Sequence, residues 1–390
     1  MITPSKTVVS MSSSETVKLL DKSLLLKSQG LDVISFGAGE PDFDTPLHIV
    51  EAGKRSMNSG FTHYTSSRGI PKLREAIASK LHKDNGVDVD PDKEIIVTTG
   101  CKTAIFISLM ALLNPGDEVL YFEPAWVSYA PLIQLASGKA IPIQLDWKTN
   151  FGIDDIQLEQ AITPRSKAII INSPNNPTGQ IHSLDDLKVV ERLANKYDLF
   201  VISDEIYEGI TFDGEKMISP ASFPGLASRT LTTSGFSKTY AMTGWRLGYV
   251  AGLEALISPI LKVQQQVVTC ATSFVQEAGV AALEGPHEPI LEMVMEYQRR
   301  RDFIANALHE MPGVWCLRPK GAFYIFPRFD GVDGHSQDFA DNLLEKELVV
   351  ATPGVAFGAA GEGHLRFSFA CSMSEIEKGM ARLKLFIESF

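Results

Sequence analysis

Six short runs constrain this chain more than anything else in it. Residues 94–99, 118–122, 167–172, 199–203, 229–233 and 246–251 are nearly continuous apolar or β-branched stretches, and helical patterns such as 102–113 and 184–197 separate several of them. A strand that is hydrophobic on both faces must be covered on both. Its alternation with helices implies an α/β fold, a mostly parallel sheet between layers of helices. Ligands bind such sheets beyond the carboxyl ends of the strands. The residues standing there are the candidates for function: Gly100-Cys101-Lys102, Glu123-Pro124-Ala125-Trp126, Ser173-Pro174-Asn175-Asn176-Pro177-Thr178-Gly179, Asp204-Glu205-Ile206-Tyr207, and the loop around Lys238.

Composition removes several alternatives. The 390 residues, 44% hydrophobic, can bury a large core in two or three lobes. A net charge of −11 leaves no overall basic field to hold nucleic acid or an anionic membrane. Residues 1–17 are serine-rich and lack the apolar core of a secretory signal, and the longest apolar run, 104–113, is too short to span a bilayer. Cys101, Cys270, Cys316 and Cys371 stand far apart with no Cys-x-x-Cys pair, which argues against a zinc ribbon or a disulfide framework. The expected location is the cytoplasm, with no nucleic-acid or membrane partner.

The flanks differ in texture. A helix is expected over 16–30, stopped by Gly30, followed by a turn-rich piece, 37–46, with two glycines and two prolines. That piece reads equally as a connection or as backbone N–H groups facing a ligand. A helix is expected over 69–84, with Pro71 suited to its first turn. Beyond residue 283 a long helix with Arg299-Arg300-Arg301 leads into strands near 314–318 and 322–326, a helix over 336–347, strands at 348–351 and 364–370, and a final amphipathic helix. This suggests a separate α+β lobe. The expected division is an N-terminal arm with part of the small lobe (1–45), a large lobe (46–284) and a C-terminal small lobe (285–390).

The chemistry lies in how the strand-end residues combine. Small residues in Ser234-Gly235-Phe236-Ser237-Lys238 let backbone approach a ligand closely, which suits a bound phosphate. A lone loop lysine is usually solvated, and a lone Asp204 after a strand is usually a helix cap. Pyridoxal phosphate, however, needs a lysine for a Schiff base, an acid on its ring nitrogen and donors for its phosphate, and all three stand at these strand ends.

On these residues the chain resembles the class I/II aminotransferases of the fold-type I pyridoxal-phosphate family. Gly235-Phe236-Ser237-Lys238 with Arg246-Leu247-Gly248 is similar to the family's lysine signature. Asn172 to Gly179, Ser203-Asp204-Glu205-Ile206-Tyr207 and Gly39-Glu40-Pro41-Asp42-Phe43 match further blocks in the same order. The resemblance implies a large domain with a mostly parallel seven-stranded sheet plus a smaller α+β domain. It also implies that Lys238 holds the cofactor and shuttles a proton, that Asp204 pairs with the ring nitrogen, and that Tyr207 and Asn176 reach the ring's phenolic oxygen while Trp126 stacks on the ring. Gly100 and Cys101 would offer backbone N–H groups to the phosphate, joined by Ser237 and Arg246. Most relatives carry Gly, Ser or Ala at the position of Cys101, where only the backbone donor is needed. Many carry Ser at Gly235, so one phosphate hydrogen bond fewer is expected. Tyr64 resembles the tyrosine that reaches the neighbouring subunit's phosphate, which implies a homodimer with shared active sites. Arg366 would bind the substrate α-carboxylate as a fork, with Gly39 at the same site. Glu123-Pro124 and Asn176-Pro177 resemble bonds that are cis in the family.

Such an enzyme accepts amino acids and 2-oxo acids in one pocket. Lys102 stands where the bacterial gamma-type aspartate aminotransferases have a lysine facing the distal carboxylate, and Ser14 and Thr16 match polar residues of that group's N-terminal segment. A cation in a first helical turn opposes the helix dipole, which weighs against a merely solvated role. The pattern leans toward aspartate with 2-oxoglutarate. Aromatic or prephenate-type substrates, or a β-lyase on the same scaffold, are the alternatives. A nicotinamide enzyme would need Gly-x-Gly-x-x-Gly after its first strand, and none is present. A non-catalytic regulatory module would be expected to lack Lys238 or Asp204.

Overall fold

The structure, a computed structural model, describes residues 4–11, 15–332 and 335–389. Its central sheet has seven strands: β1 (Ile95–Thr98), β2 (Glu118–Glu123), β3 (Lys139–Gln144), β4 (Ser166–Asn172), β5 (Phe200–Asp204), β6 (Thr230–Gly235) and β7 (Gly248–Ala251). They lie in the order β1-β7-β6-β5-β4-β2-β3. The strands from β2 to β6 run parallel, and β7 is antiparallel to both of its neighbours. β1, β2 and β7 are buried along their whole length, as their apolar runs require.

Two differences from the sequence reading have physical causes. The run at 246–251 becomes a strand only at Gly248, because Arg246 is left-handed (φ 54°) and turns the chain first. β3 was not foreseen. It is an edge strand of mostly half-exposed and exposed residues containing Pro142, whose missing N–H is tolerated only where a ladder bond is dispensable.

Helices cover both faces. Leu184–Lys196 begins at a capping box in which Ser183 Oγ accepts from the Asp186 N–H and the Asp186 carboxylate accepts from the Ser183 N–H at 2.8 Å. It buries Leu187, Val190, Leu193 and Ala194 against the sheet. Truncating one such leucine to alanine costs about 2–5 kcal/mol, and losing the Ser183 cap about 1 kcal/mol. The helix foreseen over 69–84 is Pro71–Lys80, with Pro71 in its first turn, followed by a π-type turn, Leu81–Asn85, that ends at left-handed Gly86.

The C-terminal region holds the helices Glu288–His309, Ser336–Glu347 and Met373–Glu388 around small sheets. Strand Leu365–Ser368 lies between Tyr324–Ile325 and Thr352–Pro353, and Val349–Val350 pairs in parallel with Ile34–Ser35. Two members of the arginine run face inward: Arg300 pairs with Asp42 at 2.9 Å, and Arg301, 1% exposed, forks onto Asp213 at 2.7 and 3.0 Å. These pairs tie the long helix to the turn-rich piece and to the loop after β5. No helix among the described residues is long and apolar enough to cross a membrane.

Candidate active site

Asp204 ends β5, in register with Asn172 of β4 and Thr233 of β6. It is 3% exposed. Its Oδ2 accepts from Tyr129 Oη at 2.7 Å, and its Oδ1 from Cys101 Sγ at 3.4 Å and the Ile206 N–H at 3.3 Å. Burial pushes the carboxyl pKa up, while these donors and the charge of Lys238 pull it back. Burial likewise raises the Cys101 thiol and the Tyr129 hydroxyl, with Asp204 adding to both shifts. Both therefore remain protonated and donate.

Beside this floor, helix Cys101–Leu112 starts at Gly100 with no side-chain cap, so its first N–H groups and its dipole face outward. Gly100 has φ 98°, and a Cβ there would meet Arg246 Nη2 at 2.6 Å. A Cβ on Gly248 would meet the Cys101 nitrogen at 2.6 Å. Only glycine at both positions lets Arg246 and β7 close on the helix start. Arg246 donates to the carbonyls of Thr243 (3.0 Å) and Thr99 (3.5 Å).

Lys238 projects from the turn after β6, and its Nζ donates to the Gly39 carbonyl. Burial first, then Arg246 and Arg366, lower its pKa to about 8 against the opposing pull of Glu40 and Asp204. Neutral amine is thus available near neutrality.

Arg366, 2% exposed on strand Leu365–Ser368, donates to Asn176 Oδ1 (3.1 Å), the Gly37 carbonyl (2.9 Å) and Thr352 Oγ1 (3.4 Å). Its guanidinium stacks near the rings of Tyr324 and Phe357 at 4.5 and 5.0 Å, and its buried Nε has no partner. Tyr207 and Tyr324 share a hydroxyl–hydroxyl hydrogen bond of 2.9 Å. Trp126 meets Tyr129 edge-on at 5.4 Å and carries Lys102 Nζ 4.8 Å from its ring centre. Burial, then Arg246, lowers the Lys102 pKa.

One cavity of about 470 Å³ brings together Gly39, Cys101, Lys102, Trp126, Asn176, Asp204, Tyr207, Ser237, Lys238, Arg246 and Arg366. Its charged lining is four cations, Lys102, Lys238, Arg246 and Arg366, against two acids, Glu40 and Asp204, in a chain whose net charge is −11. Gly100 stands behind the cavity wall rather than on it. Tyr64 is 86% exposed and away from its own chain's cavity. Ser14 and the Thr16 side chain lie outside the described residues. Both expected Xaa-Pro bonds are cis, as is Ser173-Pro174.

One expectation is corrected. Cys101 does more than lend its backbone, because its thiol bonds Asp204. Asn176 also spends its amide oxygen on Arg366. The sequence reading missed Tyr129 and Tyr324. Tyr129 lies three residues after Trp126, a spacing that could have signalled a shared turn; Tyr324 reaches Tyr207 from the C-terminal region, which no local pattern foretells.

The aminotransferase class I and II family model matches residues 31–383. The chain is 43% identical to an aspartate aminotransferase of Musicola paradisiaca over 94% of its own length and 92% of that protein's. It is 42% identical to the aromatic-amino-acid aminotransferase 2 of Thermococcus litoralis over 95% of each. The structure of Thermus thermophilus aspartate aminotransferase with maleate matches with a TM-score of 0.94 at 38% identity, over 99% of this chain and 100% of that one. By the family model and by these full-length relatives, the chain is a pyridoxal-phosphate-dependent transferase and belongs to the class I and II aminotransferase family.

Proposed function

We propose that the protein moves an amino group between aspartate and 2-oxoglutarate, with the cofactor held at the strand ends and the substrate's two carboxylates met by Arg366 and Lys102. The observation that carries this reading is the cationic surplus of the cavity around Lys238. Such a surplus suits a phosphate plus a dicarboxylate and is wasteful around an uncharged ligand.

The residues fit the cofactor. Asp204 would face its ring nitrogen, and Trp126 its face. Tyr207 would donate to its phenolic oxygen, because burial and Tyr324 hold that hydroxyl protonated. Asn176 would add its amide N–H. The uncapped helix start, Ser237 and Arg246 would cradle the phosphate, in the space that a Cβ at Gly100 would crowd. Pyridoxal phosphate, when bound, supplies the electron sink that makes the substrate Cα–H bond acidic. Lys238, with its lowered pKa, would take that proton from Cα and deliver it to the cofactor carbon. The lone Nε and forked Nη groups of Arg366 orient the α-carboxylate so that Cα faces Lys238.

Exposed Tyr64 supports a homodimer in which this side chain reaches the partner's phosphate. With Arg366 in the C-terminal region and Lys238 on the sheet, substrate would draw a small lobe (1–45 and 285–390) onto a large one (46–284). The name of the Thermococcus relative favours aromatic substrates as the second reading.

Single-turnover half-reactions of the loaded enzyme with aspartate, glutamate, alanine and phenylalanine, followed by cofactor absorbance, separate the two. Aspartate and glutamate should react fastest. Phenylalanine outpacing aspartate would overturn the dicarboxylate assignment.

A further inference from the structure

The seam between the sheet and the C-terminal region holds a buried carboxylate outside the cavity. Glu123 closes β2, three residues before Trp126; it is 6% exposed and does not line the active site. Its Oε1 accepts from Tyr121 Oη at 3.0 Å, and its Oε2 accepts from the Ala359 N–H at 2.9 Å. Two residues on, the Ala125 N–H donates to the Phe357 carbonyl at 2.9 Å, so segments 123–125 and 357–359 are stitched at both ends. Gly358 lies between, with φ 104°, and a Cβ there would overlap the Glu123 carboxylate. Only glycine lets the backbone close on it.

What the stitched segment carries is Phe357. Its ring is 2% exposed, meets Phe326 edge-on at 5.8 Å and lies 5.0 Å from the Arg366 guanidinium. Within its own region the segment is held by the Gly354 N–H on the His364 carbonyl at 2.8 Å and by the Val355 N–H on Ser336 Oγ at 3.2 Å. Glu123 and Ala125 tie it to the sheet. Burial first, then Glu123, raises the Tyr121 pKa, so that hydroxyl stays protonated and donates. Both donors are neutral, and a buried carboxylate gains less from them than from a cation. What the two bonds supply is direction, because each oxygen fixes one partner at hydrogen-bond length.

We propose that Glu123 is a positioning residue for the substrate wall: its carboxylate holds the Ala359 backbone to the end of β2, which seats Phe357 against Arg366 and sets that fork at a fixed distance from Trp126 and Lys102. A fork displaced by about 1 Å meets a carboxylate poorly, and misplacement of that size can cost about 10²-fold. This role rests on Arg366 being the α-carboxylate fork, whereas the seam stands on its own geometry.

Binding of unreactive propionate to the loaded enzyme, with pyridoxal phosphate retention followed by equilibrium dialysis, tests this in four variants. Glu123→Ala should weaken propionate about tenfold with cofactor retention changed less than about twofold. Glu123→Asp keeps the charge but stops one methylene short of Ala359, so it should weaken propionate similarly and serves if Glu123→Ala does not fold. Glu123→Gln should restore propionate affinity to within about twofold of the parent, its amide oxygen accepting from the Ala359 N–H and its amide N–H donating to the Tyr121 hydroxyl oxygen. Parental propionate affinity in Glu123→Ala or Glu123→Asp, a Glu123→Gln as weak as Glu123→Asp, or an equal loss of cofactor overturns the positioning role. Arg366→Lys separates this role from the reading beneath it. If Arg366→Lys binds propionate like the parent, the fork reading fails and the role of Glu123 with it; if it binds weakly while Glu123→Asp does not, only the role of Glu123 is overturned.

Discussion

Asp204 and Arg366 are buried charges on the walls of one cavity, but their surroundings are opposite. Asp204 receives three hydrogen bonds from its own chain, from Tyr129, Cys101 and Ile206. Arg366 donates only to neutral oxygens, leaves its Nε alone, and among the described residues faces no carboxylate. A buried charge without a counter-ion costs several kcal/mol, roughly, unless something arrives to pair with it. The floor around Asp204, proposed to hold the cofactor, is therefore assembled by the chain itself. The wall around Arg366 is left electrostatically incomplete, and on the proposed reading an incoming substrate carboxylate completes it.

Lys238 stands between the two, and its removal should have the largest effect. Lys238→Ala should lower kcat about 10⁴-fold or more while pyridoxal phosphate still binds through the floor, which equilibrium dialysis and steady-state assays together would establish. Substantial residual turnover would remove Lys238 from its role. Asp204→Asn leaves the shape but takes the floor's charge, so kcat should fall about 10²- to 10³-fold with weaker cofactor retention. Arg366→Lys attacks the other wall. Loss of the planar fork should raise the amino-acid KM about 10²-fold with cofactor affinity unchanged, and an equal loss of both would erase the distinction between the walls.

A smaller effect arises from the Lys238 pKa of about 8. Because the folded value lies below that of a free lysine, the neutral, reactive amine grows as pH rises toward 8. The rate at which cofactor-free protein captures pyridoxal phosphate should climb about tenfold per pH unit below that point and level off above it. A climb continuing to the ordinary lysine range would show that burial does not tune Lys238.

The floor was more legible in the sequence than the wall. The strands β1, β2, β4, β5 and β6 announce themselves as apolar runs, and chain order fixes the residues at each strand's end, so Asp204, Asn176 and Lys238 could be placed together from spacing and resemblance. β3 hid because an edge strand need not be apolar. The partners that set charge were illegible for another reason. Tyr129 reaches Asp204 across 75 residues, and Arg366 reaches Asn176 across 190, and side-chain meetings at such separations depend on packing rather than on local pattern. The thiol of Cys101 was judged from its backbone role, yet its rotamer aims it at Asp204.

The central claim is that the substrate wall selects by charge while the floor is indifferent to it. Its most direct test is the binding of unreactive succinate and propionate to the loaded enzyme, compared between the parent and Lys102→Met. Succinate should bind the parent about tenfold more tightly than propionate, and the advantage should vanish in Lys102→Met with propionate affinity unchanged. Equal affinity of the two acids for the parent, or an advantage that survives in Lys102→Met, would contradict the account.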